Sequence, residues 1–538
     1  MKKKLVTSTF FSAILAAIYL IIGPAYLKDI AKVSPIFSRE NALVVSVLIF
    51  VITFLVVFSN TDRDKNVLDQ SASKKQALAH APSKEYLSKD PDGLTIGKYK
   101  GKYVRIPFLD SPEHQLMYGA PGDGKSTTLL NAILWDYNFA DIKEKLCSML
   151  VVDVKPELSR KGVYEGRKDI KIINPSIIKS CGFNVFYGLS LNSTDDELYE
   201  RCSMMANTIV KDAGSDNVYF SESARNILAA FLMYGFVTSK TFGECIDEIL
   251  DAPVEDLIAQ ILSDSRMENH RRIKRLIREF DGKTSDGFQD VAMTLKKDLG
   301  IFDTASVKAC FAADNPDKVS PVDLINGTSI FLAIPDHLLE QYSTVFRLIL
   351  NMCMTHIMAQ DESKRKNKRP IWVLIDEAGS IGKLPILGDV LARGRSKGIQ
   401  CSLVVQSEGQ LDTTYGHDMT RAIKDCCKTT IVFGSNDDKT CEGFSKRTGV
   451  FTETKISTTS KGSAMSVDSS RNESTEYRPA VDVADIQNLS RNDKVLIFAR
   501  GDWFLCNKAP YFKVPLLAEK SAEIEKQNAE FHRRNSAR

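Results

Sequence analysis

The chain has no C-x-x-C pair, no Cys/His ligand cluster and no Ser-His-Asp or Cys-His grouping. Its seven histidines are scattered, so a metal centre or a histidine-based hydrolase has no support in the sequence. Cysteine is missing from the first 140 residues, and the eleven that follow lack ligand spacing. Buried, reduced thiols of a cytosolic domain are the expected reading, including for Cys426-Cys427 beside a predicted strand. Charge of one sign is also missing: 71 Lys and Arg against 68 Asp and Glu leave +3. A global basic field for nucleic acid is thereby excluded, and any such contact must come from local basic rings or loops. The chain does have length, with 538 residues of ordinary globular composition. That is too many for one hydrophobic core and suggests three or four domains.

Two long uncharged runs open the chain, about Leu5 to Leu27 and about Ala42 to Ser59. Each is close to the ~20 residues that cross ~30 Å of hydrocarbon as a helix. The short link between them predicts a helical hairpin. Lys2, Lys3 and Lys4 precede the first run, and Arg63, Lys65, Lys74 and Lys75 follow the second; only Lys28, Lys32 and Arg39 lie between. That asymmetry predicts both termini in the cytoplasm. The first run is too long for a signal peptide and lacks a clean small-x-small cleavage site.

Glu113–Tyr118 reads as a short strand and Thr127–Trp135 as a helix. Between them lies Gly119-Ala120-Pro121-Gly122-Asp123-Gly124-Lys125-Ser126, the G-x-x-x-x-G-K-[ST] pattern in its strand–loop–helix setting. Glycines there let backbone N–H groups converge on phosphate oxygens, and the helix N-terminus adds its positive dipole end. Lys125 meets the β/γ-phosphates of ATP and the Ser126 hydroxyl ligates Mg2+; Thr127 completes the predicted cradle.

A second carboxylate must complete the metal shell. Pro370-Ile-Trp-Val-Leu-Ile375-Asp376-Glu377 is an apolar parallel-strand signature ending in two acids. Asp376 is expected to hold Mg2+ and Glu377 to polarise the attacking water. A competing strand, Cys147–Asp153, also ends in an acid but lacks the pair, so Asp376/Glu377 is preferred. Gly398–Val405 predicts the next strand, and its end places the Gln406 amide beside the γ-phosphate as a sensor, or leaves it an ordinary loop residue. Just before that strand, Arg393 and Arg395 suit either a finger reaching a neighbouring subunit's nucleotide or a solvated surface.

Several of these runs resemble, in residues and order, the TraG/TraD-type coupling ATPases of type IV secretion systems. They are Gly119–Ser126, Asp153-Val-Lys155-Pro156-Glu157-Leu158, Trp372–Glu377, Arg395–Gln406 and Arg478-Pro479, together with the two N-terminal spans. The resemblance covers about residues 1–515. It implies a homo-hexamer around a central channel with ATP between subunits, anchored in the bacterial inner membrane with the ATPase domain cytoplasmic. It also implies that Lys125, Ser126, Asp376 and Glu377 do the chemistry, that Gln406 senses the γ-phosphate, and that Arg395 is the inter-subunit arginine. The implied partners are secretion-channel components and cargo, either relaxase-bound single-stranded DNA or effector protein. The second run departs from the usual Asp-Pro-Lys-Gly-Glu-Leu, and Glu113 and His114 stand where some relatives carry a basic residue. The ATPase motifs alone also fit a DNA translocase or helicase of the wider RecA-like group, and a receptor that binds nucleotide without turnover is the third reading.

The expected fold class is α/β: a RecA-like P-loop NTPase core with an inserted all-alpha domain and a two-helix anchor. The boundaries are 1–60 for the membrane hairpin, 61–92 for a polar linker, 93–192 and 317–515 for the two parts of the nucleotide-binding domain, 193–316 for the helical domain and 516–538 for a charged tail. Five amphipathic helices are expected in the insertion, and the basic face Arg271–Arg278 is either solvated or a cargo contact. The Ser/Thr-rich stretch 452–476 is expected as a surface loop or a channel-facing hairpin, and the tail as a cargo-recruiting or solvated helix.

Overall fold

The computed structural model describes residues 81–91, 93–106, 113–138, 147–212, 218–360, 370–463 and 466–536, with residues 46, 47, 50 and 51. Two compact units divide the chain: Met1–Ala79 with Gly449–Ala480, and His80–Thr448 with Val481–Arg538.

The second unit is built on one sheet. In chain order its strands are β1 (Leu87–Ser88), β2 (Leu94–Tyr99), β3 (Lys102–Ile106), β4 (Gln115–Tyr118), β5 (Ser148–Val154) and β6 (Ile170–Ile173). Outside the sheet lie β7 (Gly182–Phe183) and β8 (Lys318–Val319), which pair with each other. The sheet continues with β9 (Ser329–Ile334), β10 (Ile371–Ile375), β11 (Ile399–Val405) and β12 (Thr429–Val432). In the other unit, β13 (Val450–Ser463) and β14 (Ser466–Pro479) form an antiparallel hairpin. The sheet closes with β15 (Lys494–Ala499) and β16 (Asp502–Lys508).

Strand order across the sheet is β1-β3-β2-β16-β15-β12-β4-β11-β10-β5-β9-β6. From β12 to β6 every neighbour is parallel, and from β12 to β1 every neighbour is antiparallel. The cause is composition. The runs SMLVVDV, IWVLI and IQCSLVV of β5, β10 and β11 are buried at every position, as strands covered on both faces must be. Two of their polar side chains pair across the sheet: Trp372 Nε1 donates to Ser402 Oγ at 2.8 Å, which donates to Gln115 Oε1 at 2.9 Å.

Between β7 and β8 the described residues contain helices and turns but no strand. The helices are Asp195–Ile209, Val218–Val237, Phe242–Asp251, Val254–Ser263, Arg271–Ile277, Asp286–Leu299 and Ala305–Cys310. The basic face is partly engaged within the fold. Arg272 pairs with Asp196 and lies 3.8 Å over the Tyr199 ring, and Lys274 Nζ donates to the Leu262 carbonyl at 3.1 Å. Arg271, Arg275 and Arg278 remain exposed.

The carboxyl-terminal helix Pro515–Ser536 is docked against the core. Leu517 and Ile524 are buried. On the same face Ser521 Oγ donates to the Lys161 carbonyl at 3.0 Å, and Asn528 donates to the Arg160 and Val163 carbonyls at 3.1 and 3.0 Å. Among the described residues no helix is long and apolar enough to cross a membrane. The two apolar runs expected to form the anchor lie outside the described residues, apart from Ser46, Val47, Phe50 and Val51 of the second run, which are helical. The cysteines are free thiols, buried except for Cys426.

Candidate nucleotide site

Parallel strands end on one edge of the sheet, and that edge carries the polar residues. Tyr118 of β4 lies opposite Val405 of β11, and Ile375 of β10 lies opposite both Leu403 of β11 and Val152 of β5. The residues that follow these strands therefore converge: the loop from Gly119, Asp376-Glu377, Gln406 and Asp153-Val154-Lys155. Backbone bonds tie them together. Gly119 N donates to the Val405 carbonyl at 3.2 Å, Asp376 N to that of Val152 at 3.3 Å, and Ala378 N to that of Val404 at 2.8 Å.

The loop passes into the helix Lys125–Asn138. Gly122 and Gly124 have φ of 87° and 92°, conformations that a side chain would strain. Asp123 Oδ2 accepts from Ala120 N at 2.7 Å and braces the turn, while Pro121 and Gly122 form its exposed tip. Thr127 Oγ1 and Thr128 Oγ1 both donate to the Gly124 carbonyl at 2.9 Å. Lys125 is folded over the loop, with Nζ donating to the carbonyls of Gly119 at 2.5 Å and Ala120 at 3.0 Å. Burial lowers its ammonium pKa, and the carboxylates of Glu377, Asp376 and Asp123 push it back up.

Ser126 Oγ stands 3.4 Å from Asp376 Oδ2, across 250 residues of chain. Burial pushes the Asp376 carboxyl up to about 7, with the charge of Glu377 next in effect. A buried carboxyl beside a second acid and a hydroxyl calls for a cation, and this donor set of hard oxygens at a phosphate cradle fits Mg2+. Glu377 itself adopts φ 64°, an uncommon conformation for a residue with a side chain. Its Oε2 accepts from Gln406 Nε2 at 3.1 Å. Gln406 N donates to Gln410 Oε1 at 3.1 Å, and Gln410 Nε2 donates to Ser380 Oγ at 3.2 Å. A Cβ on Gly379 would meet Gln410 Cγ at 2.3 Å, so that glycine makes room for the bridge.

The competing acid, Asp153, is otherwise occupied. It is fully buried and accepts from the backbone of Glu157, Leu158 and Ser159 at 3.1, 3.0 and 2.7 Å, and from Ser159 Oγ at 2.6 Å. It caps the helix Glu157–Gly162. Asp153→Ala strands those donors and is expected to cost about 2–4 kcal/mol, read as a lower midpoint in chemical denaturation.

Arg395 is not brought to this loop. It is exposed and precedes β11, whereas Gln406 follows it. Seven strand residues at about 3.3 Å each put roughly 23 Å between the two ends of β11, so Arg395 stands at the opposite edge of the sheet from Lys125. His114 lies near it: burial, then the Arg395 charge, holds that imidazole down at about 4, and its Nδ1 accepts from Cys401 N at 3.0 Å. Arg393 is paired with Asp389 at 2.8 Å.

Three supporting residues escaped the sequence reading. Asn131 Nδ2 donates to the carbonyls of Thr95 at 2.7 Å and Ala509 at 2.8 Å, fixing the helix behind the loop. Lys508 Nζ donates to the Asp123 carbonyl at 2.6 Å. Neither carries a motif signal, because both partners are backbone oxygens remote in sequence. Gln410 had one usable signal, its place one helical turn beyond Gln406.

Fold and site together define a P-loop nucleotide-binding protein of the RecA-like class. The bacterial conjugative coupling protein TrwBdeltaN70 superposes with a TM-score of 0.59 at 19% identity, over 82% of this chain and 91% of that one. TrwB in complex with ADP and Mg2+ gives 0.59 at 20% identity, over 79% and 90%. Residues 64–534 match the family described as Type IV secretory system Conjugative DNA transfer, and the chain belongs to that family. The type IV secretion system-coupling protein VirD4 of Bartonella quintana is 24% identical over 360 residues, 65% of this chain and 55% of its own. The conjugal transfer protein TraG of Rhizobium radiobacter is 24% identical over 439 residues, 77% of this chain and 64% of that one. The chain thus spans between about half and two thirds of the length of these relatives.

Proposed function

We propose that this protein is a membrane-anchored ATPase that passes cargo into a type IV secretion or conjugation channel. The observation that carries the reading is the convergence of Lys125, Ser126, Asp376, Glu377 and Gln406 on one sheet edge, in a chain of the conjugative DNA transfer family. Magnesium, when bound with ATP, supplies charge neutralisation for the transferred phosphoryl group. Gly119 to Thr127 form the phosphate cradle, and Lys125 turns from the loop carbonyls to the phosphates. Ser126 and Asp376 hold the metal, Glu377 orients and deprotonates the attacking water, and Gln406 reports the γ-phosphate to Glu377. Arg395, remote from its own loop, serves a neighbour's nucleotide in a homo-hexamer. The runs Leu5–Leu27 and Ala42–Ser59 anchor the assembly in the bacterial inner membrane, with both termini in the cytoplasm.

Cargo is relaxase-bound single-stranded DNA, effector protein or both. Two measurements test the reading: ATP turnover by the purified full chain with and without single-stranded DNA, and crosslinking of cargo to the protein during transfer in the native host. Turnover together with crosslinked cargo is expected. Nucleotide binding without turnover under either condition would replace the motor by a non-hydrolysing receptor, and strand unwinding without cargo crosslinks would make it a helicase.

A further inference from the structure

A phosphate cradle turns successive N–H groups toward its ligand and therefore turns carbonyls back into the protein, where each needs a donor. Most of these donors come from the motif itself: Lys125 serves Gly119 and Ala120, and Thr127 and Thr128 serve Gly124. The Asp123 carbonyl is served from 385 residues away, by Lys508 Nζ at 2.6 Å.

Lys508 ends β16 and is 8% exposed, a burial that lysine rarely accepts without a partner. Its ammonium also donates to Ser490 Oγ at 3.1 Å and lies 5.6 Å from the centre of the Phe433 ring. Its backbone is fixed as well: Lys508 pairs with Gly97 of β2, and its N–H donates to the Asp493 carbonyl at 2.9 Å. The next residue, Ala509, holds Asn131 of the loop's own helix. Burial lowers the ammonium pKa, and Asp123 pushes it back up.

We infer that Lys508 is a positioning residue for the nucleotide: it holds the Asp123 peptide in the orientation the phosphate cradle requires and places a fixed positive charge behind it. This rests on the nucleotide reading above. Lys508 acts through Asp123, from the side of the loop away from the ligand, whereas Lys125 reaches the phosphates directly. A charge-assisted hydrogen bond to a backbone oxygen is the stronger kind, and its donor here belongs to the far end of the chain.

Two variants of the full-length protein test it. Lys508→Met keeps the length of the side chain and removes both donor and charge, and Lys508→Gln keeps a donor without the charge. Affinity for a fluorescent ADP analogue with Mg2+ is measured beside the rise in melting temperature that the nucleotide induces. The Met variant is expected to bind about ten- to a hundredfold more weakly, with most of the nucleotide-induced rise lost, and the Gln variant to fall between it and wild type. A purely architectural lysine would lower the melting temperature equally with and without nucleotide and leave the affinity unchanged. Wild-type affinity in both variants, or in the Gln variant alone should the Met variant not fold, overturns the inference. Failure of the wild-type protein to bind nucleotide is a separate result and removes the nucleotide reading itself.

Discussion

Replacing Lys125 by alanine is expected to lower ATP turnover by at least about a thousandfold, the scale seen when one positioned charge-stabilising group is lost. The side chain is 7% exposed, and its Nζ bonds two loop carbonyls, at 2.5 and 3.0 Å. Burial lowers its ammonium pKa, and three carboxylates, led by Glu377, oppose that effect. Lys508, which also bonds the loop, approaches it through the Asp123 carbonyl. Loss of Lys125 removes the only cation of the motif that can follow charge onto the β/γ-oxygens. Transfer should fall to background while the protein stays in the membrane fraction at its normal level. Normal transfer by Lys125→Ala protein would sink the motor.

Glu377→Gln is expected to separate binding from chemistry. Turnover should drop about 10²- to 10⁴-fold, the usual weight of a general base, with nucleotide affinity within a few-fold of wild type. The reason is local. Glu377 sits at φ 64°, a backbone conformation that orients its carboxylate toward Gln406 Nε2 at 3.1 Å. Glutamine preserves the shape and one acceptor oxygen and removes the proton acceptor. Single-turnover hydrolysis beside equilibrium binding checks this, and the variant should retain ATP long enough to trap cargo on the channel. Turnover above about a tenth of wild type, set against that expected range, would place the base elsewhere.

Much of the core was legible because its strands obey one rule. A short apolar run bounded by polar residues is a buried parallel strand, and the expected Cys147–Asp153, Pro370–Ile375 and Gly398–Val405 correspond to β5, β10 and β11 within one or two residues. Asp376, Glu377 and the loop at Lys125 were legible for the same reason, since residues after parallel strands share an edge. Among the described residues the insertion holds seven α-helices where five were expected, and one of them, Phe242–Asp251, opens with a capping box of Thr241 and Glu244, a signal of only four residues. Of the two readings of 452–476, the hairpin is the one present, paired residue for residue over fourteen positions as β13–β14; its Ser/Thr and charged sequence lacks the apolar alternation that would have decided between them.

The tail was read as a charged helix, either cargo-recruiting or solvated. Its docking face is Leu517, Ser521, Ile524 and Asn528, spaced four, three and four residues apart, and half of it is polar. A hydrophobic pattern cannot find a face that binds through hydrogen bonds. The role of Asp153 was hidden likewise, because three of its four partners are backbone N–H groups, which carry no identity in a sequence.

Asn131 is gripped by Thr95 on one side and Ala509 on the other, so two segments remote in sequence brace the helix behind the phosphate loop. Thr95 belongs to β2 and Ala509 follows β16, and those two strands pair antiparallel. The brace is therefore complete only once that strand pair has closed, which couples the stiffness of the loop to the antiparallel half of the sheet.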